Sequence, residues 1–166
     1  DMAASDEEAH RALLHFLGGH GAQIETIVLK RPPGYNLLDR VSRPEQIDCQ
    51  FSPGAMGRLT AVSALESLSW PKTDLDCTID VDDPLVERND GQFSISVVDG
   101  EATVTHGATG EPDLTVDIGT LSQLAVGTHG VETASRLGGL DLRTESLREP
   151  LETLFEQQPV YLQEFF

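Results

Sequence analysis

Between Leu75 and Gly127 apolar and polar residues alternate through four short runs, and the period then changes. Phe93, Ile95 and Val97 fall on one face of the second run, and Asp99-Gly100 follows. That dipeptide favours a two-residue hairpin turn because both central residues take positive φ. Ala102 and Val104 continue the same face. Leu114, Val116 and Ile118 alternate with Asp113, Thr115 and Asp117, after which Leu121, Leu124 and Ala125 take up helical spacing and Gly127 closes a helix. The pattern predicts a half-solvated antiparallel sheet with helices on its other face.

The flanks read differently. Ser5 with Glu8 fits a capping box, and Ala9, Leu13, Phe16 and Leu17 share one helical face before Gly18-Gly19 stops the helix. Ile24 to Leu29 reads as a strand, Arg31-Pro32-Pro33-Gly34 as a breaker, and Asn36 to Val41 as a short helix ahead of Pro44. From Ile47 onward lies the sheet zone, with a helix from about Val62 to Ser69 whose Ala61, Leu65 and Leu68 line one face, ended by Trp70-Pro71. The last zone is helical: Val131 to Leu137, then a longer helix striped by Leu147, Leu151, Leu154 and Phe155, with Pro150 comfortable only in its first turn. The chain finishes Gln158-Pro159-Val160-Tyr161-Leu162-Gln163-Glu164-Phe165-Phe166. So many large apolar groups at an end predict docking into a groove.

At 166 residues and 39% apolar, the chain is able to bury roughly 70% of its unfolded surface, enough for a core without disulfides or metal. Cys49 and Cys77 both fall in expected strands and read as buried reduced thiols of a cytoplasmic protein. No apolar run approaches the ~20 residues of a membrane span and no charged-then-apolar leader is visible. Asp1 in place of Met points to a processed or excised piece of a longer chain.

The formal charge of -17 arises from 28 acids spread along the chain against 11 cations, of which only Lys30 and Lys72 are lysines. Acids distributed in this way repel phosphates at every approach, which argues against nucleic acid and anionic membranes as partners. Two readings fit: a surface adapted to a high-salt cytoplasm, where a Debye length near 3 Å at 1 M removes self-repulsion, or a field that attracts cationic substrates. The first is favoured, because a focused field is local whereas this charge is uniform, and the scarcity of lysine resembles proteins of halophilic archaea.

Familiar catalytic patterns are missing. There is no GxxxxGK[ST] and no GxGxxG, and Gly18-Gly19-His20-Gly21 is a helix stop and turn. His10, His15, His20, His106 and His129 never pair at i,i+4 around a carboxylate, so no zinc site is expected. Ser94 and Ser96 lie on a strand face, away from any nucleophile elbow. Asp80, Asp82 and Asp83 have the wrong Gly and Glu placement for a calcium loop, and with Pro84 they read as a solvated turn.

Several strings, taken in order, resemble the C-terminal half of the Eis-like acetyltransferases. These are enzymes of the GNAT superfamily with two GNAT-like lobes followed by a domain of the sterol carrier protein fold. The stretch from Ala9 to Leu17 with the expected strand at Ile24 resembles the late helix and strand of the second lobe. Met56-Gly57-Arg58-Leu59-Thr60-Ala61-Val62-Ser63-Ala64-Leu65 resembles the strand-to-helix passage into the carrier domain. Asp83-Pro84 with Asn89-Asp90-Gly91-Gln92-Phe93 resembles its hairpin, Pro112-Asp113-Leu114-Thr115-Val116-Asp117 its next strand and helix start, and Phe165-Phe166 its aromatic end.

The resemblance implies an α+β fold, an α/β sandwich with a mainly antiparallel sheet covered by helices. Its expected divisions are a lobe remnant over residues 1–46 (helix, strand, short helix) and a carrier-like domain over 47–166. It also implies N-acetyl transfer from acetyl-CoA to an amine, in a polypeptide whose preceding GNAT lobes are partners and which assembles as a homo-oligomer. The Arg/Gln-x-x-Gly-x-Gly/Ala loop that cradles the acetyl-CoA pyrophosphate is absent, so the cofactor is expected in the missing N-terminal lobe and this chain alone is expected to be inactive. The family assigns a proton-accepting role to the terminal carboxylate, which here is that of Phe166. Tyr161 and Phe165 are then expected to bury it, and Glu164 to attract the cationic amine. Two other classes remain open: a lipid or hydrophobic-ligand binding module, since the carrier fold elsewhere encloses a lipid, and an interaction domain that only completes a larger enzyme.

Overall fold

Asp99 and Gly100 take φ of 53° and 86°, the left-handed pair that a two-residue hairpin of this type needs, and they join β2 (Gly91–Val98) to β3 (Glu101–His106). The computed structural model of the chain describes residues 4–32, 34–52 and 54–161. The chain divides into two units, Asp1–Cys49 and Gln50–Phe166.

In the second unit β1 (Leu75–Asp82) pairs antiparallel with β2, setting Cys77 opposite Ile95 and Ile79 opposite Phe93. β4 (Leu114–Asp117) joins the other side of β1 in parallel, with Ile79 opposite Leu114. The sheet order is β3-β2-β1-β4-β5, with β5 (Leu140–Leu142) antiparallel to β4. The fold is therefore α+β, with one parallel pair inside an otherwise antiparallel sheet. Alternation along β1, β2 and β4 sends Leu75, Cys77, Ile79, Val81, Phe93, Ile95, Val97, Leu114 and Val116 to one buried face. That face is covered by α2 (Ile118–Val126), α3 (Val131–Arg136) and α4 (Arg148–Leu154), whose Leu121, Leu124, Val131, Ala134, Leu151 and Leu154 complete the core. Pro150 sits in the first turn of α4, the one place in a helix where its missing N–H leaves no gap. Burial pushes the Cys77 thiol up to about 12, with Asp113 and Asp76 adding to the shift, so it stays protonated and inert.

The edge strand β3 is not left open. A 3-10 helix over Val62–Ser67 lies against it, the Glu66 carboxylate accepts the Val104 amide at 2.8 Å, and the Trp70 amide donates to Gly100 O. This is one way a sheet edge is kept from pairing with another chain.

The first unit holds α1 (Glu7–Gly18), capped by Asp6, whose carboxylate accepts the Ala9 amide at 2.8 Å; the expected cap, Ser5, only hydrogen-bonds Asp6. The structure corrects several other expectations. Ile24 to Leu29 form no strand, Cys49 is exposed and lies in no strand, and residues 54–60 carry no strand. The helix expected at Asn36 to Val41 is a single 3-10 turn, Leu38–Arg40, that of 62–69 is the 3-10 helix already given, and the last helix is short. Phe16, placed on the inner face of α1 by spacing, is 63% exposed, and the residue of α1 that is buried is His10. The physical reason is shared: periodicity reports which groups are alike, and a segment realises it only where a neighbour covers them.

The Asp83 turn, expected to be solvated, is a buried polar node. The Asp83 side chain is fully buried; it accepts the Leu85 amide at 3.0 Å, the Val86 amide at 3.1 Å and Asn89 Nδ2 at 3.0 Å, and pairs with Arg58. Asn89, also fully buried, accepts the Val62 amide at 3.1 Å and donates to Thr60 O, tying the passage into the domain to the β1–β2 connection. Burial pushes the Asp83 carboxyl up, but the donors Asn89, Leu85 and Val86 and the Arg58 charge outweigh it and hold the group below the usual carboxylate range. Because the folded value is depressed, its contribution is present above the unfolded value of about 3.9 and is lost as pH falls through the folded value. Asp83→Asn is thus expected to lower the melting temperature at neutral pH, by an amount that shrinks below about pH 4. A gap independent of pH in thermal scans overturns the assignment. Asn89→Ala leaves the Val62 amide without its acceptor and is expected to cost roughly 1–3 kcal/mol in urea unfolding.

Candidate functional site

Of the four residues assigned to a site by sequence, Glu164, Phe165 and Phe166 lie outside the described residues, and Tyr161 lies within them, 37% exposed. The structure shows how the chain reaches Tyr161. Phe155, 6% exposed, closes α4 with its amide on Leu151 O at 2.8 Å, and its ring meets Trp70 edge-to-face at 5.4 Å. The Gln158 amide then donates to Gly127 O at 2.8 Å. After that contact Val160 and Tyr161 emerge half-exposed. The backbone is tied down at Gln158, but the apolar groups of the run that are described, Val160 and Tyr161, are exposed and occupy no groove; the expected docking of Leu162, Phe165 and Phe166 falls outside the described residues.

The opposite, polar face of the sheet carries a cleft of about 500 Å³ lined by Asp80, Asp82, Asp90, Asp117 and Asp141 beside Gly138 and Gly139. Gly139 packs so closely under α2 that a Cβ there would lie 2.0 Å from Thr120 Oγ1 and 2.8 Å from Asp117 Oδ2. Thr120 Oγ1 in turn donates to Asp117 Oδ2 at 2.6 Å. Among the described residues, no group of three or more His, Cys, Asp or Glu is arranged to hold a metal ion.

The apolar interior between the sheet and α2 to α4, lined by Cys77, Ile95, Leu124, Leu151 and Phe155 among others, contains a void of about 10 Å³. That is about one water-sized sphere, with no space there for an acyl chain or a sterol. Acetyl-CoA, which a GNAT fold implies, does not fit the described residues either. α1 and α2 both begin at carboxylates, Asp6 and Asp117, which accept the first-turn amides of Ala9 and Thr120 and place a negative charge where a pyrophosphate would have to sit.

In the first unit His10 organises a second polar cluster that spacing gave no sign of. Tyr35 Oη lies 2.7 Å from His10 Nε2 and Arg40 Nη1 lies 3.4 Å from His10 Nδ1, while Arg40 also pairs with Glu7. A guanidinium only donates, so Nδ1 accepts and Nε2 carries the proton toward Tyr35. The Arg31 and Arg40 guanidiniums flank the Tyr35 ring at 5.0 and 5.6 Å. Among the described residues before Val62, His10 alone is buried, while Ile27, Val28, Phe51 and Met56 are exposed.

Residues 61–163 match the sterol carrier protein domain. The chain belongs to that family. Ahead of this sterol carrier protein domain, residues 1–59 match the acetyltransferase (GNAT) domain. The fold is shared with a conserved protein of Enterococcus faecalis (23% identity, TM-score 0.80, covering 97% of this chain and 41% of that one). It is likewise similar to Eis1 of Mycobacterium abscessus (23%, TM-score 0.62, covering 96% and 40%). A GCN5-related N-acetyltransferase of Anabaena variabilis matches over a shorter stretch (28%, TM-score 0.56, covering 61% and 26%). The chain thus spans well under half the length of these solved relatives. No curated protein sequence is significantly similar to it. Among the described residues, no helix is long and apolar enough to cross a membrane.

Proposed function

We propose that this chain is the C-terminal region of an Eis-like N-acetyltransferase of the GNAT superfamily, which transfers an acetyl group from acetyl-CoA to an amine. The observation that carries the reading is the order of its parts. A GNAT-matching segment whose apolar groups Ile27, Val28, Phe51 and Met56 stand uncovered leads directly into a fully cored sterol carrier protein domain. Uncovered apolar groups at that density need a partner surface, and the preceding GNAT lobe of the same polypeptide is the partner of that chemistry. Acetyl-CoA binds in that lobe, and the present chain contributes its end: the α-carboxylate of Phe166 accepts the proton that an ammonium must lose before its nitrogen attacks, Tyr161 and Phe165 shield it, and Glu164 draws in the cation. The enzyme is a cytoplasmic homo-oligomer.

Calorimetry with acetyl-CoA tests the division of labour. The 166-residue chain is expected to give no heat of binding and the complete polypeptide micromolar affinity; micromolar affinity of this chain alone overturns the reading. The carrier-type alternative, in which native extraction yields a stoichiometric lipid, is not favoured by an interior void of about 10 Å³.

The acidic surface is a halophilic adaptation in this reading. Charges of one sign repel one another over a Debye length of more than 10 Å in dilute salt and about 3 Å at 1 M. The melting temperature is expected to climb steeply between about 0.05 and 1 M salt. A salt-independent melting temperature in calorimetric scans removes the halophilic part of the proposal and leaves the rest standing.

A further inference from the structure

We infer that the corner between α2 and α3, Gly127 with Gly130, is a seat that fixes the course of the C-terminal segment, with the Gln158 amide as its latch. Gly127 ends α2 in the left-handed conformation, φ 85°. The amides of this corner are used within it: Gly127 N donates to Leu124 O at 3.0 Å and Thr128 N to Gln123 O at 2.9 Å. The Gly127 carbonyl is left to face outward, and it accepts the Gln158 amide at 2.8 Å. A Cβ on Gly127 would touch Gln158 Cβ at 3.4 Å and both Gln158 N and Glu156 O at 3.5 Å, so a methyl there already fills the space up to the crossing chain. One on Gly130 would reach Gln157 Cβ and Phe155 O at 3.8 Å. The chain therefore hydrogen-bonds one glycine and passes close by a second, directly after the buried Phe155 ring and directly before Pro159. Proline fixes its own φ and confines Gln158 to extended backbone. The Phe155 ring, the Gln158 hydrogen bond and the Pro159 ring thus fix the backbone at three points as far as Pro159.

This inference extends the reading above, and its catalytic consequence rests on that reading. If the Phe166 carboxylate serves the reaction, Gly127, Gly130 and the Gln158 amide are positioning residues that aim it without touching substrate.

Hydrogen exchange on the 166-residue chain tests the seat without any activity. The Gln158 amide is expected to exchange roughly 10-fold or more below its intrinsic rate, also in Gln158→Ala, which retains the N–H. Gly127→Asn tolerates the left-handed backbone but places a side chain against Gln158, and is expected to abolish that protection while the α2 amides stay protected. In the complete enzyme Gln158→Pro, which deletes the donor, is expected to lower kcat roughly 10- to 100-fold with KM little changed. An unprotected Gln158 amide in the native chain overturns the seat. Unchanged kcat in Gln158→Pro, in an enzyme that does lose turnover when extended past Phe166, overturns the positioning role. Protection intact with both kinetic changes silent upholds the seat and places the failure in the terminal-carboxylate reading.

Discussion

One residue added after Phe166 of the complete enzyme, or amidation of its end, is expected on the proposed function to lower turnover roughly 10²- to 10⁴-fold while the protein melts where it did before. The size follows from what a positioned proton acceptor contributes and from how completely that contribution depends on hydrogen-bond reach. An α-carboxyl titrates near 3.5 and an alkyl ammonium near 10 in water. The carboxylate is therefore a weak base unless its surroundings raise it, and the proposal assigns that task to Tyr161 and Phe165 in the complete enzyme. An added residue moves the charge by one peptide and leaves a neutral amide in its place, without touching the core. Deleting Phe165 and Phe166 together is a poorer experiment, because it also strips apolar area worth about 2–3 kcal/mol per buried ring. For a lipid carrier, or for a domain that only assembles a larger enzyme, the extension is silent or merely destabilising. Unchanged turnover in a folded, extended enzyme therefore removes the carboxylate from the mechanism.

Phe155→Ala is the substitution expected to damage the domain most, by roughly 3–5 kcal/mol. Phe155 is 6% exposed and sits among Leu75, Leu124, Val131 and Leu151 around the small interior void. Truncation enlarges that void by most of a ring and removes the edge-to-face contact with Trp70. Trp70 is itself tied down, since its Nε1 donates to Leu65 O at 2.9 Å, so the surroundings have little freedom to collapse into the space. With net stabilities of about 5–15 kcal/mol for whole domains, the loss takes a large share of the total. In urea titration the midpoint falls with the slope unchanged. A loss below about 1 kcal/mol contradicts the packing described here. The same variant releases the crossing at Gly127, because the ring is the last buried anchor before it.

Much of the second unit was legible in the chain because it is set by short-range rules. Period-2 alternation marked β1, β2 and β4, Asp99-Gly100 marked the hairpin, and the switch to helical spacing after Asp117 marked α2 with its end at Gly127. The resemblance that named the family rested on the same strings in the same order. The C-terminal segment was legible only as an apolar run: Gly127 reads in the chain as a helix stop, and nothing in its neighbourhood announces that Gln158 returns to its carbonyl. His10 and Asn89 were equally silent. A buried polar residue is recognised by the partners that satisfy it, and Tyr35, Val62 and Asp83 are brought to them by folding.

The sequence by itself determined the faces of the strands, the hairpin, the glycine stops of α1 and α2 and the uniform acidity, which depend on composition, φ preferences and residues a few positions apart. The tertiary structure alone decided that β4 runs parallel to β1, that three residues at Leu140–Leu142 form the far edge strand, that Ile24 to Leu29 stay irregular, that Asp83 is enclosed, and that the Gln158 amide returns to Gly127. Alternation states which side of a strand is apolar. It carries no information about which strand lies beside it or in which direction, because that is settled by where distant segments find surface to cover.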